Sequence, residues 1–167
     1  KGDYQRSLDF GRKAIAGDPA FQPPYNRLYA IYMKLQNYRK AAEVLEAYLL
    51  VDPEAIHFHL ALGDLYMKNL NETDKAEGVF KKVLDLADRV NADDYYREQS
   101  CASLGYISFR KNEIDKSIEY FEKAHGYNLK NESVIYMLAH LYMYVYKIDF
   151  ADRYALEYDT LVPDNTS

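Results

Sequence analysis

The chain of 167 residues is 49% hydrophobic and 28% charged, with seven Gly and five Pro, which is enough apolar surface for a folded domain and argues against disorder. Its 21 basic and 26 acidic residues leave a formal net charge of −5, which argues against nucleic-acid binding through the surface as a whole. No apolar run approaches the roughly 18 residues of a membrane span, and the single cysteine, Cys101, excludes an intramolecular disulfide framework and an all-cysteine zinc site.

The first segment runs Gly2-Asp3-Tyr4-Gln5-Arg6-Ser7-Leu8, then Ala14-Ile15, and stops at Asp18-Pro19. A like segment, Asn37-Tyr38-Arg39-Lys40-Ala41-Ala42 with Leu45 and Leu49, stops at Asp52-Pro53, 34 residues later. Each reads as a helix ended by proline. Between them, Tyr25, Leu28, Tyr29 and Tyr32 follow the i, i+3, i+4, i+7 spacing of one apolar helical stripe. The repeating unit is therefore helix, turn, helix.

Later copies read His59-x-x-Leu62-Gly63-x-x-Tyr66 with Ala76-x-x-x-Phe80, and Cys101-x-x-Leu104-Gly105-x-x-Ser108 with Ser117-x-x-x-Phe121. The last reads Ile135-x-x-Leu138-Ala139-x-x-Tyr142 with Ala151-x-x-x-Ala155 and Pro163. These residues resemble the tetratricopeptide repeat, a 34-residue helix-turn-helix unit with an aromatic-x-x-Leu-Gly-x-x-Tyr first helix and an Ala-x-x-x-Phe second helix. The resemblance covers nearly the whole chain. It implies an all-α, open right-handed superhelical solenoid of about nine helices. The spacing places them at roughly 3–16, 22–35, 38–51, 54–69, 73–89, 93–111, 114–127, 131–146 and 148–161.

As one repeat domain over 1–167, the units are a second helix alone at about 1–21, then 22–55, 56–90, 91–130 and 131–163. The step from Gly63 to Gly105 is 42 residues rather than 34. Asp93-Asp94 ahead of Tyr95 supplies a cap there, so the extra residues are expected to lengthen the following helix by two turns and make it project. The chain opens in a second helix and ends without a further polar one, as expected of a fragment of a longer array. Tyr4, Leu8 and Ile15 are then expected on an uncovered face, with self-association through the uncapped ends.

Nothing in the sequence assembles a catalytic site. His57 and His59 stand two apart on a helix and point to different sides, so they share no metal, and no glycine loop cradles phosphate. His59 and Cys101 occupy the leading aromatic position of their units, where a packing role is expected. Catalytic residues, metal and cofactor are all expected to be absent. Asn-x-Ser/Thr triplets occur at Asn71, Asn131 and Asn165; the first two fall at helix starts, where capping is the simpler role. Compartment stays open: cytoplasmic by default, or periplasmic or lipid-anchored after removal of a leader.

The resemblance also implies a concave groove lined by first helices, which receives a partner peptide. Residues after each stripe tyrosine rotate toward that face. They read Met33-Lys34, Met67-Lys68, Phe109-Arg110 and Met143-Tyr144, an adaptable apolar row beside a basic one. One turn earlier stand Asn26, Asp64, Tyr106, Tyr136 and His140. The expected function is thus a non-enzymatic scaffold binding a partner peptide, acidic and apolar, in the groove. The alternative is a structural or regulatory segment of a larger sensor, transcriptional regulator or envelope assembly, with its groove filled intramolecularly or unused. The terminal-carboxylate clamp of some family members does not carry over, since Ala30, Leu60, Ala61 and Ala102 stand where polar donors would be needed.

Overall fold

A computed structural model describes residues 2–162, with side chains from residue 4 onward. Pro163 and Asn165 lie outside the described residues. Among those described there are nine α-helices and no strand: α1 (Gly2–Gly17), α2 (Pro23–Lys34), α3 (Tyr38–Val51), α4 (Ile56–Lys68), α5 (Thr73–Arg89), α6 (Asp94–Arg110), α7 (Ile114–Tyr127), α8 (Glu132–Tyr144) and α9 (Ile148–Leu161). The fold is the all-α, tetratricopeptide-like solenoid class. The chain forms two compact units, Lys1–Lys82 and Val83–Ser167. Helix α5 is continuous through that boundary, giving Ala76 and Phe80 to the first and Val83, Leu86 and Ala87 to the second.

Local chemistry sets the helix ends. Pro23 and Pro24 open α2, where missing amide donors cost nothing. The Asn37 side chain accepts from Lys40 N at 3.3 Å, Asp93 from Tyr95 N at 2.8 Å, and Asn131 from Val134 N at 3.2 Å. The turn inside each hairpin reverses through one left-handed residue: Gln36, Asn71, Asn112 and Tyr146. Asn71 stands in the turn two residues ahead of α5. After each of these turns an amide returns to a first-helix carbonyl at 2.8 or 2.9 Å, Asn37 to Tyr32, Glu72 to Tyr66, Glu113 to Ser108 and Lys147 to Tyr142. Groups that the helix ends leave open are thereby satisfied.

In the first unit the α2 stripe buries Tyr25, Leu28, Ile31 and Tyr32, and α3 buries Ala41, Ala42, Leu45 and Tyr48. Leu8 is buried as well, contrary to the expectation of an uncovered apolar face; Tyr4 and Phe10 are the exposed rings of α1. His59 is only half-buried, with Nε2 2.9 Å from the Pro53 carbonyl. The ring buried at the start of α4 is its neighbour Phe58, 4.3 Å from Tyr48. Gly63 lets α4 lie against Phe80: a Cβ there would stand 2.8 Å from the ring. Tyr hydroxyls bond to a residue 20 positions earlier, Tyr32 accepting from Arg12 at 2.8 Å and Tyr66 donating to Glu46.

The second unit repeats the device. Gly105 faces Phe121, at 2.9 Å for a built Cβ, and Tyr142 donates to Glu122 at 2.6 Å. Cys101, Ile118, Phe121 and Ala124 from α6 and α7 share one core with Val134, Ile135, Leu138 and Leu141 of α8. Cys101 is a small core hydrophobe, and burial pushes its thiol up to about 11.

The longer spacing resolves differently from expectation. Helix α6 has 17 residues against 12 or 13 in α2, α4 and α8, about one extra turn rather than two. Val90–Asp93 forms a connection with Asn91 left-handed. The added turn does not project. Arg97 is buried and ties it to the end of α5, donating to Asp88 at 2.9 Å, to Ala87 O at 2.7 Å and to Ala92 O at 2.6 Å. One carbonyl in the last turn of α5 and one in the connection thus gain a charged donor. Next to it, buried Glu98 accepts from Asn131 and from Gln99 at 2.6 Å.

Candidate functional site

The first-helix residues singled out by sequence fall into two sets, one per unit. In the first unit Asn26 and Lys34 are exposed on α2, while Met33 and Met67 are half-buried. Asp64 is half-exposed and holds Lys68 at 2.9 Å, one helical turn away. Lys34 makes no ion pair among the described residues, so it carries the least compensated charge of the basic row.

In the second unit the same positions are more open and more aromatic. Phe109 is 47% exposed, Tyr136 48% and Tyr144 66%, with Met143 and His140 also exposed and Tyr106 half-buried. Such exposure of large rings on neighbouring helices is uncommon unless a partner covers them. Tyr106 stands edge-on to Phe121 at 4.9 Å, and its partial burial raises its hydroxyl pKa by desolvation. Tyr136 meets His140 at 4.2 Å and Tyr158 of α9 at 5.7 Å.

Tyr136 is the hinge of this surface, because three cavities share its ring. One, of about 320 Å³, lies toward α6 between Phe109, Met137, His140 and Tyr144. A second, of about 310 Å³, lies between Tyr106, Glu132, Met137 and Tyr158. The third, of about 300 Å³, opens on the other side of α8 against α9, lined by Ala139, Met143, Ala151, Ala155, Tyr158 and Asp159 besides Tyr136 and His140. Tyr106, Phe109, Tyr136, His140, Met143 and Tyr144 are therefore brought onto one contoured surface. Arg110 is exposed on the last turn of α6.

Sequence reasoning missed Met137, Tyr158 and Ala155. The signal for Ala155 was present, since it replaces the Phe of the repeat; for Tyr158, only packing reveals that its ring reaches Tyr136. Among the described residues, no group of three or more His, Cys, Asp or Glu is placed to hold a metal ion. No described helix is long and apolar enough to cross a membrane.

Two family models, both described as tetratricopeptide repeat, match residues 31–90 and 98–131, together more than half of the chain. The chain is a tetratricopeptide-repeat protein. Membership points to protein–protein interaction, and families of this repeat are typically non-enzymatic scaffolds. A curated relative, a BBSome complex member BBS4 homolog of Drosophila melanogaster, is 29% identical over 104 residues; the match covers 59% of this chain and 19% of that protein. The chain thus spans about a fifth of the length of that relative.

Solved tetratricopeptide-like structures share the fold. MamA superposes with a TM-score of 0.80 at 20% identity, covering 97% of this chain and 90% of that one. YrrB, described as a TPR protein with an unusual peptide-binding site, gives 0.73 at 19% identity over 98% and 80%. Pseudomonas aeruginosa PilF gives 0.78 at 19% identity over 98% and 71%.

Proposed function

We propose that this tetratricopeptide-repeat protein is a non-enzymatic scaffold that binds a partner peptide along the exposed faces of its first helices. The observation that carries the reading is the exposed aromatic surface of α6 and α8, with Tyr136 shared by cavities on both sides of its helix. Phe109, Tyr106, Tyr136 and Tyr144 supply rigid apolar area, and the three tyrosines add hydroxyls able to orient a peptide backbone. Met33, Met67 and Met143 supply adaptable contacts. Each within its own unit, Asn26, Asp64 and His140 offer hydrogen bonds, and Lys34, Lys68 and Arg110 favour a ligand that carries carboxylates as well as apolar side chains. YrrB, a protein of the same fold, is described as having an unusual peptide-binding site, which supports peptide binding without its mode.

A second reading is that the chain is a structural segment of a multi-subunit assembly. The relative that is a BBSome complex member favours it, because the chain matches only part of that longer protein.

Selecting peptides from a displayed library on the purified chain, then titrating the winners, separates the two. The first reading expects acidic, apolar ligands. Phe109→Ala or Tyr136→Ala should then weaken binding by about 2 kcal/mol, mostly through faster dissociation. Lys34→Glu should instead slow association and flatten its salt dependence, because exposed charges act mainly on encounter. Ligands indifferent to all three substitutions would place binding elsewhere and leave the assembly reading.

A further inference from the structure

Three of the first helices carry a buried tyrosine near their end, Tyr32, Tyr66 and Tyr142. Over each ring stands a lysine from the start of the following helix: Lys40 at 5.9 Å from the ring centre, Lys75 at 5.2 Å and Lys147 at 5.9 Å. Two of the three hydroxyls are engaged by a carboxylate of the preceding helix. Tyr66 donates to Glu46, and Tyr142 donates to Glu122 at 2.6 Å. At the same place ahead of Tyr32 stands Arg12, whose Nη2 donates to the tyrosine oxygen at 2.8 Å. A guanidinium can only donate, so the Tyr32 hydroxyl keeps a proton for which no acceptor stands among the described residues.

A cavity of about 340 Å³ lies at this exchange, between α1, α2 and α3 and wholly inside the first unit. Its apolar walls are Ile15, Leu28 and Val44, and its polar lining is Arg12, Tyr32, Lys40 and Glu43. A mostly apolar hollow of this size with a few convergent polar groups is the usual form of a small-molecule site. Lys40 and Glu43 make no ion pair among the described residues. Asp9, one turn before Arg12, stands 3.7 Å from Nη1 with both side chains about half exposed, so that pair is weak and leaves the guanidinium available. Two cations against the one carboxylate of Glu43 leave the lining positive, which suits a monoanion better than a phosphate dianion.

We propose that the cavity between α1 and α3 binds a small amphipathic carboxylic acid in its ionised form. The carboxylate accepts the Tyr32 hydroxyl proton and lies between Arg12 and Lys40, and the alkyl or aryl tail lies on Ile15, Leu28 and Val44. The ligand thus brings to Tyr32 the group that Glu46 and Glu122 bring to the other two tyrosines. This goes beyond the scaffold reading, since none of the lining residues belongs to the first-helix faces proposed to hold a peptide. Walls and floor come from three consecutive helices of the array, not from an end face.

The test titrates the 167-residue chain, labelled at its aliphatic methyl groups, with butyrate, octanoate and 3-phenylpropionate and with the uncharged amide of each. At least one acid should shift the methyl signals of Ile15, Leu28 and Val44 saturably, and its amide should bind at least tenfold more weakly. Arg12→Glu installs the carboxylate of the other two repeats, so it should keep the helical circular dichroism and weaken the acid at least tenfold. Arg12→Gln, which keeps a donor without the charge, should fall between. Tyr136→Ala, which the scaffold reading expects to weaken a peptide, should leave the acid unaffected. No saturable shift with any of the three acids, equal binding of acid and amide, or acid binding that survives both Arg12 substitutions overturns the proposal and leaves the scaffold reading intact. Loss of the acid on Tyr136→Ala overturns it too, by placing the acid on the first-helix face.

Discussion

The α6–α7 and α8–α9 hairpins are built on the same spacing and differ in what fills their centre. In the first, Phe121 lies against Gly105 and is sealed by α8; in the second, Ala155 faces Ala139 and leaves an open cavity. The comparison teaches that repeat position alone does not decide whether a residue is core or surface. The same register gives a buried ring where glycine makes room, and an open concavity where two methyl groups do not.

The most drastic way to break the comparison is to make the closed hairpin resemble the open one. Phe121→Ala removes a fully buried ring from the second unit. It should cost about 4 kcal/mol in urea unfolding, since neighbouring side chains collapse only partly into the space. A loss below about 1 kcal/mol would mean that the hairpin relaxes freely, and that the open cavity of α8–α9 closes as easily.

Thiol chemistry sharpens the same contrast. Cys101 lies in the sealed core with its thiol pushed up to about 11, so at pH 8 it is protonated as well as inaccessible. Iodoacetamide should leave it untouched until the chain unfolds. A cysteine introduced by Ala155→Cys should react at least tenfold faster in the folded protein; equal rates would show the two sites to be equally closed.

A smaller effect tests the turns that join each pair of helices. Gln36, Asn71, Asn112 and Tyr146 all take left-handed backbone, which Asn tolerates and tyrosine resists. Tyr146 is 88% exposed, so its ring contributes little packing. Tyr146→Gly should therefore stabilise by about 1 kcal/mol in a denaturant titration, whereas Asn112→Gly should change little.

The helix pattern was legible in the sequence because short-range chemistry sets it. The stops at Pro19 and Pro53, the caps Asp93 and Asn131, and the apolar stripes place all nine described helices within about two residues of expectation. The added turn of α6 was legible in part. The Asp93 cap could be read, but the burial of Arg97 depends on Asp88 and on two carbonyls that only the packed structure brings near. The candidate surface was less legible. Met33 and Met143 hold equivalent positions, yet the first is half-buried and the second exposed, because exposure follows from the neighbouring helix and not from the stripe. Leu8 shows the same limit in reverse: read as uncovered, it is buried.

Methionine methyl resonances offer the most direct test of the central claim, that a partner peptide is gripped by the exposed aromatic surface of α6 and α8. With the chain labelled at methionine methyl carbons, a saturating acidic, apolar peptide selected on the purified chain should shift the signals of Met137 and Met143, which line the cavities that share Tyr136, and Tyr136→Ala should abolish the shift. Saturable binding of that peptide that leaves both signals unmoved would contradict the account.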